Sequence, residues 1–157
     1  MRGGLDRATV FASKLGCNGI SPRQAGVEGK RQMYSHIMVG TNDLGRAKAF
    51  YDALMSALGV GPAMVDGHRM FYLTPTGVFS VSKPIDGKPA TVANGATIGF
   101  NCASPEQADA WHAAGVANGG VSCEEPPGVR EGGMGKLYLA YLRDPDGNKL
   151  CGLHRMG

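Results

Sequence analysis

The side chains able to ligate a metal or act as nucleophiles are four histidines and four cysteines: His36, His68, His112 and His154, and Cys17, Cys102, Cys123 and Cys151. The cysteines show no paired spacing of the kind that builds a zinc site or a redox motif. In a chain without a secretory signal they read as reduced thiols. His68 and His154 fall near expected strand ends, and His112 follows Trp111, which takes the buried side of its helix, so these three read as solvated. Arg130, in a glycine-rich stretch, is either a clamp for an anionic substrate or a solvated loop arginine. The nearby run Gly132-Gly133-Met134-Gly135-Lys136 looks like a phosphate loop but is not one. That loop needs glycine five residues before its second glycine and Ser or Thr after the lysine. Arg130 and Leu137 stand there.

The elements that position these groups follow from local chemistry. Tyr34–Gly40 reads as a strand, and Asn42 or Asp43 can cap the helix after it. Leu44, Ala47, Phe50, Tyr51, Leu54 and Leu58 recur at helical spacing, and Gly59 stops the run. His68–Thr74 and Val78–Lys83 read as strands around the Pro75-Thr76-Gly77 turn, with a short fourth strand at Ala90–Ala93. The pattern restarts at Ala96–Cys102. Ser104-Pro105-Glu106-Gln107 opens a second helix, with a capping serine, an early proline and a glutamine three residues on. Val121–Glu124 reads as a strand, Pro126–Gly135 as a flexible loop, and Leu137–Arg143 and Lys149–His154 as the last two strands.

The restart is a repeat. Ile37–Val60 laid over Ile98–Val121, an offset of 61 residues, matches Ile37 with Ile98, Ala47 with Ala108, Ala53 with Ala114 and Gly59 with Gly120. Phe50 meets Trp111, and further on Pro84 meets Pro145. Two copies of one mixed unit bury their faces against each other. The expected fold is α+β: two βαβββ modules, residues 33–93 and 94–157, forming a curled mixed sheet with the helices on its outer face.

From Met33 onward the chain resembles the vicinal oxygen chelate superfamily, the glyoxalase, bleomycin-resistance and extradiol-dioxygenase proteins. The resemblance rests on SHIMVGTNDLGRAKAFYDALMSALG at the start and YLRDPDGNKLC at the end, and GVFSVSKPIDGKPATVANG resembles a bacterial glyoxalase-like subgroup. It implies a cup holding a divalent metal on inward residues of the first and fourth strands of each module. Carried onto this chain, those positions are His36, Thr97, Thr91 and Cys151. The family usually shows His, Gln or Glu there, with glutamate where Cys151 stands. His36 alone matches.

A catalytic metal of this kind needs about three imidazole or carboxylate ligands and an open position. One histidine and one thiol do not supply that set, so a divalent metal is disfavoured. Two functions stay open: a glyoxalase-like lyase, isomerase or dioxygenase, and a metal-free protein that sequesters a small oxygen-rich molecule. In the first, His36 is an acid–base group, and Cys151 is either its activated nucleophile or a small buried hydrophobe. Thr97, Asn101, Thr91, Tyr138 and Arg130 are the expected substrate contacts. Of Tyr138 and Tyr141, one can wall the cup.

Of 157 residues, 43% are hydrophobic and 18% charged, as in a soluble globular domain. The net charge of +3 sits in residues 1–32, which hold six basic and two acidic side chains, leaving ten and eleven in the rest. That remainder has no basic excess for nucleic acid, and no apolar run is long enough for a membrane. A cytoplasmic homodimer is expected, with residues 1–32 a disordered extension. A chain beginning at Met33 should melt within a few degrees of the full chain by calorimetry. A large loss of stability would show that the extension packs on the domain.

Overall fold

The computed structural model describes residues 33–133 and 135–157, so the expected extension at residues 1–32 lies outside the described residues. The first module runs β1 (His36–Gly40), α1 (Leu44–Ser56), β2 (Met64–Asp66), β3 (Arg69–Thr74) and β4 (Gly77–Ser82). The second runs β5 (Ile98–Asn101), α2 (Pro105–Ala117), β6 (Val121–Ser122), β7 (Gly128–Gly132), β8 (Gly135–Arg143) and β9 (Lys149–Arg155). The strands form two mixed sheets, ordered β1-β4-β3-β2 and β5-β9-β8-β6, with β7 also paired to β8. In each sheet the first strand runs parallel to the last, β1 with β4 and β5 with β9, and the other pairs are antiparallel. The fold is α+β, built from two βαβββ modules.

Both helices have 13 residues, and Leu44 and Pro105 open them at the repeat's offset. Asp43 caps α1 by accepting from the Arg46 N–H. Ser104 does the same for Gln107, whose own side chain reaches back to the Ala103 N–H at 2.6 Å. That reciprocal pair satisfies two backbone donors that would otherwise be orphaned at the helix start.

The offset does not persist as far as the sequence suggests. Ala90–Ala93 is not a strand, and the first module's last strand is β4. The Ala90 N–H donates to Asn42 Oδ1 and its carbonyl accepts from Asn42 Nδ2, so a side chain takes the groups a sheet ladder would use. The strand that completes the module is the short, fully exposed β2. In the second module, residues 128–132 of the expected loop pair with β8. This extra strand lengthens the second module, so the turn Pro75-Thr76 corresponds to the turn at residues 144–148. The match of Pro84 with Pro145 is a coincidence.

The core lies between the helices and one face of each sheet. Phe50, Tyr51, Leu54, Tyr72, Val81, Trp111, Leu142 and Leu150 are fully buried in it. Aromatic rings bridge the modules: Tyr51 to Phe79 at 5.0 Å, Phe79 to Phe100 at 5.2 Å and Phe100 to Trp111 at 5.9 Å between centroids. Two glycines let α2 approach its sheet. A Cβ on Gly152 would lie 2.8 Å from Trp111, and one on Gly115 would lie 2.5 Å from Leu142. Larger residues there would force the layers apart.

The turn Asp144-Pro145-Asp146-Gly147-Asn148 fastens the second module to the first. Buried Asp144 accepts from the Tyr51 hydroxyl at 2.6 Å and from the Asp146 and Asn148 N–H groups. Asp146 accepts from the Thr41 hydroxyl at 2.6 Å, from the backbone and side chain of Asn42, and from Arg46 at 3.0 Å. Burial alone would raise the Asp146 pKa, but these donors and the Arg46 charge outweigh it and hold it below the ordinary carboxylate value. A carboxylate depressed in the folded state adds stability that is present above its unfolded pKa, about 4, and is lost as pH falls through the folded value. Asp146→Asn should therefore cost about 1.5–3 kcal/mol at neutral pH. It should also flatten the acid side of the melting-temperature profile, with Asp52, likewise depressed, leaving a residual slope. An unchanged acid profile would contradict the assigned role.

Candidate functional site

Alternation along each strand assigns the faces. Val39, Phe79, Val81, Leu142 and Leu150 are buried under the helices, and Ile98 and Phe100 pack against the same core. His36 and Met38 of β1, Ser80 of β4, Tyr141 of β8 and Cys151 of β9 therefore lie on the opposite, concave faces. Register confirms the neighbours: Met38 pairs with Ser80, and Tyr141 and Gly99 pair with Cys151. Where the modules meet, a cavity of about 190 Å³ is bounded by Met38 and Gly40, by Thr91, Ala93 and Ala96 of the connecting segment, and by Lys149.

The expected site residues are distributed unevenly. Thr91 reaches the edge of this cavity, although it belongs to the connection and not to a strand. Thr97, one residue before β5, and Asn101, at its end, are exposed. His36 is exposed, and its Nδ1 lies 2.9 Å from the Ser35 hydroxyl. Arg130 falls on the Tyr141 face through its pairing with Leu137. It donates to the Pro126 carbonyl at 2.8 Å and the Val129 carbonyl at 3.2 Å, bracing the base of the β7 arm. Tyr138 is on the other side: its hydroxyl donates to Asp109 of α2 at 2.8 Å, so the tyrosine that walls the cup is Tyr141. A one-residue difference in position reverses the face.

Cys151 is 4% exposed. Burial pushes its thiol pKa up, and the Tyr141 hydroxyl, Glu124 and Lys149 are the side chains that act on it. The thiol donates to the Gly152 carbonyl at 3.6 Å and the His36 Nδ1 lies against the Ser35 hydroxyl, so among the described hydrogen bonds none joins Cys151 to His36. Tyr141 is itself pushed up to about 12, first by burial and then by Cys151. Both groups stay protonated near neutral pH and act as hydrogen-bond donors. Lys149 pairs with Glu124 and sits 4.9 Å from the centre of the Tyr141 ring, a cation–π contact.

The residue in the first module that corresponds to Cys151 is Ser80, not Thr91. Ser80 is fully buried, and among the described residues its hydroxyl has no hydrogen-bond partner. Laying Val78-Phe79-Ser80 over Lys149-Leu150-Cys151 would have found it. The four positions at or beside the first and last strands, with Thr97 just before β5, thus hold an imidazole, two hydroxyls and a thiol. Among the described residues no three His, Cys, Asp or Glu side chains converge to hold a metal ion. A divalent metal does not fit this set, because serine and threonine hydroxyls are poor ligands and the buried thiol is protonated.

Two βαβββ modules with a concave face at their junction define the architecture of this class of protein. The family described as the Glyoxalase/Bleomycin resistance protein/Dioxygenase superfamily matches residues 34–151, and the chain belongs to it. Among solved structures, a glyoxalase/bleomycin resistance protein from Albidiferax ferrireducens T118 is 63% identical, with a TM-score of 0.77 over 78% of this chain and 99% of that one. A glyoxalase-related enzyme from Fulvimarina pelagi is 19% identical, with a TM-score of 0.61 over 79% and 88% of the two chains, and shares the fold. So does a family enzyme from Burkholderia phytofirmans PsJN, 16% identical, with a TM-score of 0.60 over 78% and 98%. No curated protein matches the chain.

A buried, protonated thiol alkylates slowly. Iodoacetamide at neutral pH should modify Cys151 more than about tenfold more slowly in the folded protein than in the urea-unfolded chain, as read by mass spectrometry of the carboxy-terminal peptide. Equal rates would mean that the thiol is open and activated, and would restore the nucleophile reading.

Proposed function

We propose that this protein binds a small oxygen-rich molecule in its cup without a metal, as a sequestering member of the superfamily. The observation that carries the reading is the donor set. Where the family resemblance implies metal ligands, this chain presents His36, Ser80, Thr97 and Cys151, which offer hydrogen bonds and no chelating array. Such groups recognise carbonyl, hydroxyl or carboxylate oxygens directly, and the orphaned Ser80 hydroxyl has no other use in the described structure. Lyase, isomerase or dioxygenase chemistry through a bound metal is the competing reading.

We also propose a cytoplasmic homodimer. Support comes from the unpaired thiols Cys102, Cys123 and Cys151, and from Tyr34, Val65 and Val121, which are 56–65% exposed. Among the described residues no helix is long and apolar enough to cross a membrane.

Protein purified without a histidine tag should carry well under one divalent metal per chain. Zinc, nickel or manganese should neither raise its melting temperature nor induce turnover. A tightly held stoichiometric metal with metal-dependent turnover would replace this reading with the lyase, isomerase or dioxygenase one. Sedimentation at micromolar concentration should read a dimer, and a monomer would remove that part of the proposal. Fractionation of the source cells should find the protein in the cytoplasmic fraction, and recovery elsewhere would refute that placement.

A further inference from the structure

The two walls of the cup differ in chemistry. In the first module, register puts Met38, Met64, Phe71 and Leu73 on the concave face, since Met38 and Phe71 both pair with Ser80, Met64 pairs with Phe71, and Leu73 pairs with Val78. Three of them are open to solvent: Met38 at 43%, Met64 at 54% and Leu73 at 60%. Flexible methionines beside an aromatic ring make an adaptable apolar surface. Polar groups flank them, with His36 beside Val78 at one end and Ser82 and Arg69 at the other, and the Ser80 hydroxyl lies between Met38 and Phe71, buried and without a partner among the described residues.

In the second module the concave face carries a cluster of cations, Arg155 among them, beside the half-buried Leu137, Leu139 and Leu153. Arg130, Arg143 and Lys149 share the face of Tyr141 and Cys151 through their positions opposite Leu137, Lys149 and Arg143. Glu124 is the acid that answers them, paired with Lys149. Arg130 uses two of its five N–H donors on carbonyls of its own arm, and Arg143 uses one on the Gly147 carbonyl. The remaining guanidinium donors have no acceptor among the described hydrogen bonds and suit an oxyanion, whereas the Tyr141 hydroxyl is engaged with the Cys151 thiol.

We propose that the cup selects a small amphiphilic anion, an aryl or branched-alkyl carboxylate or a related oxyanion, with its charged end on the second module and its apolar body on the first. This rests on the reading of the cup as a small-molecule site. A fully polar ligand would leave Met38, Phe71 and Leu73 against water. A neutral apolar ligand would leave Arg130 and Arg143 without the partner their free donors suit.

Two fluorescent probes of similar shape separate the terms in the full-length protein. These are 8-anilino-1-naphthalenesulfonate, which is anionic, and N-phenyl-1-naphthylamine, which is neutral. The anionic probe should bind about tenfold more tightly. Arg130→Gln should remove most of that preference and leave the neutral probe unchanged, and Lys149→Gln serves as a second test should Arg130→Gln loosen the arm. Met38→Ser and Leu73→Ser should weaken both probes. Equal affinity for the two probes, or a preference untouched by both charge variants, would overturn the proposal while leaving the cup as a binding site. Failure of either probe to respond to Met38→Ser and Leu73→Ser would overturn both the proposal and the small-molecule reading beneath it.

Discussion

Two carboxylates in one turn set the relation between the modules. Asp144 is buried against Tyr51 on α1, and Asp146 gathers Thr41, Asn42 and Arg46 at the start of the same helix. A buried carboxylate is costly unless its lone pairs are filled, so each fixes the position of every donor around it. Burial and the Asp144 charge push the Tyr51 pKa well above its ordinary value, which keeps that hydroxyl a donor. Asn148 adds a bond to the Gly40 carbonyl, so the turn also touches the end of β1. β9 begins at the next residue. The last strand of the second module and the first strand of the first are thereby set side by side, and the cavity bounded by Met38 and Lys149 follows from that placement.

The repeat builds two similar halves, and one departure from it makes the cup asymmetric. The β7 arm has no counterpart in the first module, whose corresponding edge is the three-residue β2. The arm brings Arg130 onto the concave side, and the cationic wall depends on it. The apolar wall arises differently. Without an arm, Met64 and Leu73 have nothing to cover them within the described residues. One insertion thus supplies charge to one wall and leaves the other open.

The parts of this fold that were legible in the sequence are those decided locally. Ser104, Pro105 and Gln107 announce α2 because capping acts within four residues, and the apolar spacing from Leu44 to Leu54 announces α1 because burial repeats every turn. β2 and β7 escaped because their pairing comes from β3 and β8. Residues 128–132, read within a glycine- and proline-rich stretch, look like a loop until a partner strand supplies the hydrogen bonds. The site was less legible for the same reason. Thr91 aligns with Cys151 only through a chance proline match, whereas Ser80 is the counterpart once the arm is counted as an insertion. Tyr138 and Tyr141 differ by three positions on one strand, and nothing short of register decides which of them faces α2.

The substitution at position 151 has a physical consequence that reaches the rest of the cup. A carboxylate buried as deeply as Cys151 would need a compensating cation, such as the metal that the family resemblance implies there, shared with other charged or imidazole ligands. The nearby cation here, Lys149, is already engaged by Glu124 and by the Tyr141 ring. A neutral thiol removes the need. Burial raises its pKa, so it sits in the sheet without a counter-ion and accepts the influence of Tyr141. Ser80 and Thr97 are neutral at the related positions, so no position of the set demands a metal on electrostatic grounds. The floor of the cup is then close to neutral, and the cations stand at its second wall, on Arg130, Arg143 and Lys149. Charge that a metal would concentrate at the centre is displaced to the side, where it can orient one end of a ligand but cannot polarise two adjacent oxygens at once. Recognition survives that displacement better than chelate chemistry does.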